Sequence, residues 1–227
     1  MSKNQNAKKR PRAVLLLGPT GAGKTPLGDL FQRHGLRLRD WQEPSCLHFD
    51  FGANLRRLVD RNVAEDGITR EDLDFLRRVL EEGVLLEDEH FPLARRVFEA
   101  FMARQQPAVA DRSKSASLIV LNGLPRHVGQ AEAVDAIVEV LAVICLQCDE
   151  SNVTARIADN VGGDRLGRSD DDLAAVQRKL LIYKERTAPL VSHYRSLGAA
   201  VETFDVGAET TPKDVWNRVA RGGITEQ

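Results

Sequence analysis

The chain has 227 residues, 42% of them hydrophobic and 29% charged, with a formal net charge of −1. That length holds one sizeable α/β core with room for inserted subdomains, and the composition is that of an ordinary globular protein. A charge so close to zero supplies no bulk attraction to nucleic acid or a membrane surface, and no apolar run approaches the length of a membrane helix.

Residues 1–12 carry Lys3, Lys8, Lys9, Arg10 and Arg12. No apolar stretch of the signal-peptide kind follows, so this segment reads as a disordered basic tail, and a cytoplasmic location is expected. Residues 13–17 are all aliphatic and predict a buried strand. Gly18-Pro19-Thr20-Gly21-Ala22-Gly23-Lys24-Thr25 follows at once and satisfies the phosphate-loop pattern G-x-x-x-x-G-K-[ST]. The glycines let the backbone curl so that its N–H groups face a phosphate. The helix predicted after it adds a partial positive charge at the same place. Lys24 is placed to reach the β- and γ-phosphates, and the Thr25 hydroxyl to ligate Mg²⁺. Pro26 falls in the first helical turn, where it is tolerated, and Gly35 stands where a C-terminal cap glycine belongs.

A second strand is predicted at 46–51. Residues 52–112 are helical by pattern, with helices at 54–61, 69–82 and 92–104; Thr69 with Asp72 three positions on reads as a helix start. Further strands are predicted at 117–121, 140–146 and 200–204. Alternation of short apolar strands with helices indicates a parallel sheet with crossover helices. Cys145 and Cys148 have C-x-x-C spacing at the end of the fourth strand. No second ligand pair is suitably spaced, so they read as buried or strand-end thiols. Residues 162–168 are rich in Gly and Arg, a composition that can hinge and meet phosphates.

Asn122-Gly123-Leu124-Pro125-Arg126, with Gln130 four positions on, directly follows the third predicted strand. It resembles the D-G-[FY]-P-R-x-x-x-Q segment of the adenylate kinase and nucleoside monophosphate kinase family. Gly52-Ala53-Asn54-Leu55-Arg56 is similar to that family's G-D-[ML]-L-R segment, and Leu80 to Leu86 to its G-x-L-V-P turn without the proline. Arg168-Ser169-Asp170-Asp171 is similar to R-x-D-D, and Tyr183 with Thr187, Pro189 and Leu190 to Y-x-x-x-T-x-P-L. The resemblance covers residues 13–219.

It implies a three-layer α/β P-loop NTPase fold with a five-stranded parallel sheet flanked by helices. The expected division is a core of 13–51, 113–155 and 173–227, a helical monophosphate-binding insertion at 52–112, and a short lid at 156–172. It implies ATP held by residues 18–25 and Arg156. It implies a nucleoside monophosphate held by Phe51, Gly52, Arg56, Leu85, Gly123, Arg126 and Gln130, with Arg126 and Arg56 clamping phosphate and Gln130 reading adenine. Lys24, Arg126, Arg156, Arg168 and Lys179 would stabilise the transferring group. Mg²⁺ would sit at Thr25 and, through water, at Asn122. The lid is too short for a zinc knuckle, so no zinc is expected. The resemblance also implies a monomer.

Three departures stand out. Asn122 replaces the family's aspartate and loses its charge. Lys179 stands where a further arginine is usual. Asp50-Phe51 precedes Gly52, where a small residue is usual. Phe51 either stacks on a base or fills the hinge; Asp50 either accepts from a base amino group or caps the next helix. The function implied is transfer of the ATP γ-phosphoryl group to a nucleoside monophosphate, AMP foremost. Two alternatives are a P-loop kinase of another small substrate, for which Asp50 is the candidate carboxylate, and an ATP-binding regulatory protein with little transfer.

Overall fold

The computed structural model describes residues 10–38, 41–43, 45–62, 64, 67–105, 118–164 and 173–222. Five parallel strands make the sheet: β1 (Arg12–Leu17), β4 (Cys46–Asp50), β5 (Leu118–Asn122), β6 (Glu139–Gln147) and β7 (Ala200–Asp205), in the order β4-β5-β1-β6-β7. All five sequence-predicted strands form, with ends displaced by a few residues. Arg12, expected in the disordered tail, opens the central strand β1, which is apolar from Ala13 to Leu17 because both its faces are covered there. Ala13, Leu15 and Leu17 enter one core; Val14 and Leu16 enter the other. That alternation follows from the two-residue period of a strand.

On one face lie α1 (Lys24–His34) and α9 (Pro212–Gly222), which contribute Leu27, Phe31, Val215 and Val219. The approach of α1 to β4 is close: a Cβ on Gly28 would collide with the His48 ring, so glycine is needed there. The expected cap at Gly35 is present, with its φ of 78° and its N–H donating to Phe31 O at 2.8 Å.

The other face carries α2 (Phe51–Arg61), α3 (Arg70–Glu82), α4 (Phe91–Gln105), α5 (Val128–Asp135) and α8 (Leu190–Ser196). The α4 helix packs Phe98 and Phe101 against Phe49 of β4, each at 5.1 Å between ring centroids. Thr69 and Asp72 form a reciprocal capping box at the start of α3. The remaining helices, α6 (Glu150–Ala158) and α7 (Leu173–Ile182), flank residues 165–172, which lie outside the described residues together with Arg168. A five-residue π turn, Tyr183–Thr187, joins α7 to the segment before α8.

One element has no counterpart among the sequence expectations. A two-stranded antiparallel hairpin, β2 (Leu36–Leu38) with β3 (Trp41–Glu43), sits between α1 and β4. Among the described residues no helix is long and apolar enough to cross a membrane.

Candidate active site

In an open parallel sheet the ligand crevice lies beyond the carboxyl ends of the strands. Here the C-terminal ends of β1, β4 and β5 meet at one cleft. Register brings them together: Asp50 of β4 pairs with Asn122 of β5, and Asn122 pairs with Leu16 of β1, two residues before Gly18 opens the loop–helix turn. That turn carries Gly18 at φ 151°, where a Cβ would stand 2.9 Å from Leu146 O. Only a glycine lets the loop run so close to β6.

Lys24 Nζ donates to Gly18 O at 2.6 Å and Pro19 O at 2.7 Å, which holds the ammonium group in the mouth of its own loop. Thr25 Oγ1 donates to Asp50 Oδ2 at 2.5 Å. Asn122 Nδ2 donates to the same Asp50 oxygen at 2.9 Å and to Thr25 Oγ1 at 3.1 Å. The other carboxylate oxygen, Asp50 Oδ1, accepts from Ala53 N at 2.8 Å and caps α2. The cap explains why β4 stops at Asp50 and Phe51 starts a helix, rather than the strand running to 51. Phe51 is buried against Phe49 and also lines the cleft.

The cleft brings together Gly18, Thr20, Gly21, Gly23, Lys24, Thr25, Phe51, Gly52, Arg56, Leu85, Asn122, Gly123, Arg126 and Lys179. Four cationic side chains from four different segments therefore face one space. The opposite wall is apolar, made by Val79, Leu80, Val84 and Leu86 from the end of α3 and the turn after it. Burial holds the Arg126 guanidinium below its ordinary pKa, and the nearby Asp50 offsets part of that lowering. An arginine so placed stays charged.

Four predicted residues among those described are not on the cleft wall: Gln130, Arg156, Pro19 and Ala22. The Gln130 side chain is 1% exposed; its Nε2 donates to Leu86 O at 2.7 Å and its Oε1 accepts from Arg126 N at 2.9 Å. In this geometry it sets the height of the Arg126 turn against the turn after α3, and it presents no free edge to a base. Thr187 supports the same turn, with Oγ1 donating to Arg126 O at 2.7 Å. Arg156 is 3% exposed. Its Nε donates to Gly21 O at 3.0 Å, and its Nη1 to Gly207 O at 2.7 Å and Thr210 O at 2.6 Å. It ties the phosphate loop to the turn before α9. Pro19 and Ala22 shape the loop from behind; Pro19 O accepts from both Lys24 Nζ and Ala22 N.

Val79, which sequence reasoning leaves unassigned, also lines the cleft, beside Leu80, Val84 and Leu86 of the stretch matched to the family's turn and Asp164 of the Gly- and Arg-rich stretch. For Asp50 the sequence leaves three roles open: a base contact, a cap, or a carboxylate for another acceptor. Its bond to Thr25 has no local signal and follows from the sheet register alone. Cys145 and Cys148 are free thiols; burial pushes both above the ordinary range, so they stay protonated at neutral pH.

No family model matches the chain. A curated protein named adenylate kinase from Synechococcus sp. (strain CC9311) is 31% identical over 191 residues, spanning 82% of this chain and 85% of the relative. Another of the same name, from Thermus thermophilus, is 27% identical over 216 residues, spanning 92% and 95%. Among solved structures, a gluconokinase from Sinorhizobium meliloti 1021 aligns over 94% of each chain with 16% identity and a TM-score of 0.48.

Proposed function

The chain belongs to the adenylate kinase family, and from that premise we propose that it moves the γ-phosphoryl group of Mg²⁺-ATP to a nucleoside monophosphate, AMP foremost. It is an ATP-dependent phosphotransferase; the acceptor is the inferred part. The observation that carries the reading is the convergence of Lys24, Arg56, Arg126 and Lys179 on one cleft beside the phosphate loop. A neutral acceptor needs a general base and few cations. A phosphorylated acceptor is already a nucleophile and needs its charge neutralised, which this set supplies.

The residues divide the work by position. The loop N–H groups of 18–25 and the start of α1 hold the triphosphate tail. Lys24 sits at the loop mouth, within reach of the bridging region between donor and product phosphates. Arg126 and Arg56 grip the acceptor phosphate; an arginine fork matches two phosphate oxygens at once. The donor metal is bound with ATP as substrate. Its ligands are hard oxygens, and the Thr25 hydroxyl beside Asp50 and Asn122 suits that chemistry. Val79, Leu80, Val84 and Leu85 bound the acceptor nucleoside and keep water from competing. The choice of adenine rests on family membership, since the Gln130 amide is committed to Leu86 O and Arg126 N.

The test is incubation with Mg²⁺-ATP and each of AMP, GMP, CMP, UMP and their deoxy forms, followed by chromatography. Formation of two ADP per AMP consumed, exceeding all other acceptors and lost in Arg126→Ala, is the expected result. Absence of any acceptor diphosphate while ATP still binds contradicts the reading.

A further inference from the structure

A phosphate-loop threonine serves a divalent cation through a lone pair of its hydroxyl oxygen. Its proton must then point elsewhere, and the acceptor of that proton fixes where the lone pair faces. In P-loop NTPases a carboxylate on a neighbouring strand completes the cation's surroundings. In this chain the end of β5 offers the neutral amide of Asn122 instead. The carboxylate that meets Thr25 is Asp50, on the far side of β5 from the phosphate-loop strand.

We propose that Asp50 is the positioning carboxylate of the Mg²⁺-ATP site, and that Asn122 has become its holder. The proposal rests on the kinase reading above. A cap on α2 needs one carboxylate oxygen, and Oδ1 supplies it through Ala53 N. Oδ2 is turned the other way and accepts from both Thr25 Oγ1 and Asn122 Nδ2. The Thr25 proton is thus spent on Asp50; of the two lone pairs on its oxygen one accepts from Asn122 Nδ2, which leaves the other for a cation. The Asn122 amide donates to both partners and takes no charge of its own. The charge usual at the end of β5 stands instead at the end of the adjacent β4, where a small residue is usual, and a negative charge is kept next to Thr25. This geometry uses Asp50 toward the donor nucleotide and away from the base of the acceptor.

The test compares ATP affinity in Mg²⁺ with that in EDTA, using a fluorescent ATP analogue, for the wild-type chain, Asp50→Asn and the double variant Asp50→Asn/Asn122→Asp. An amide at 50 keeps the cap oxygen, so α2 is retained. The expected result is a loss of about 10- to 100-fold in the Mg²⁺-dependent gain for Asp50→Asn, the size seen when an outer-shell partner of a metal is removed. Affinity for metal-free ATP is unchanged or tighter, because one negative charge has left the triphosphate's surroundings. The double variant restores the gain. Equal loss in both buffers, an unchanged Mg²⁺ gain, or no recovery in the double variant overturns the assignment while leaving the kinase reading in place. A wild-type chain that binds no ATP in either buffer overturns both.

Discussion

Arg126 is held from three directions: its backbone N–H by Gln130, its carbonyl by Thr187, and its guanidinium within the field of Asp50. A backbone turn fixed this way presents the guanidinium from a set point. Arg126→Lys should therefore lower kcat/KM for the monophosphate about 10²-fold or more, because an ammonium group lacks the two-pronged fit to phosphate. Steady-state kinetics with AMP varied would check this; a lysine variant within a few-fold of wild type would contradict the clamp. The residue types at this site are legible in the sequence: the phosphate loop, Arg126 and Arg56 are marked by local patterns. What is not legible is how they are held. The bond from Thr25 to Asp50 joins residues 25 positions apart, and that from Asn122 to Asp50 joins residues 72 apart. Gln130 shows the reverse failure, since a motif fixes a residue's identity without fixing what its side chain touches.

At the scale of elements, α2 and α3 are each fixed by a side-chain cap at the N-terminus. Asp50 caps α2, and Thr69 with Asp72 caps α3. Asp72 also accepts both contacts of Arg96 Nη2, each at 2.8 Å. Burial works to raise the Asp72 pKa, but the Thr69 backbone bond and the Arg96 contacts outweigh it and leave the group below its ordinary value of 3.8. The unfolded chain then binds more protons near that value. The stabilisation is present above the ordinary pKa and is lost as pH falls through the lowered one. Asp72→Asn should cost about 1 kcal/mol at neutral pH, a modest figure because the Arg96 end is partly solvated. Urea midpoints at neutral pH and near pH 3 would check it: the gap between wild type and variant should narrow on acidification. A gap independent of pH would contradict the account. The inner strands β5, β1 and β6 are readable because each carries an apolar run covered on both faces; the edge strands β4 and β7 are more polar and are read from their apolar alternation and place in the order. The β2–β3 hairpin is not, because three-residue strands that mix Leu with Arg, Gln and Glu carry no periodic signal.

For the whole molecule, the sheet order places the phosphate loop, the Asp50–Asn122 pair and the turn that carries Arg126 at the C-terminal ends of three adjacent strands. On the proposed reading donor and acceptor share a single cleft, which Arg56, Arg126 and Lys179 line beside the phosphate loop. Because Arg156 ties the phosphate loop to the turn before α9, ATP binding should stabilise the core as a unit. At 100 times Kd the linkage is worth about 2.7 kcal/mol, or about 5–10 °C in Tm for a chain of this size. Differential scanning calorimetry with Mg²⁺-ATP would show it as one shifted transition; a second, unshifted transition would mean that the sheet and the loop melt apart. The central claim is that one cleft transfers a phosphoryl group between two adenine nucleotides, and the reaction run backwards tests it most directly. The pure protein is given Mg²⁺-ADP alone and the products are separated over time. The account predicts ATP and AMP in equal amounts, abolished by Arg126→Ala. ADP left intact, or AMP and inorganic phosphate without ATP, would contradict it.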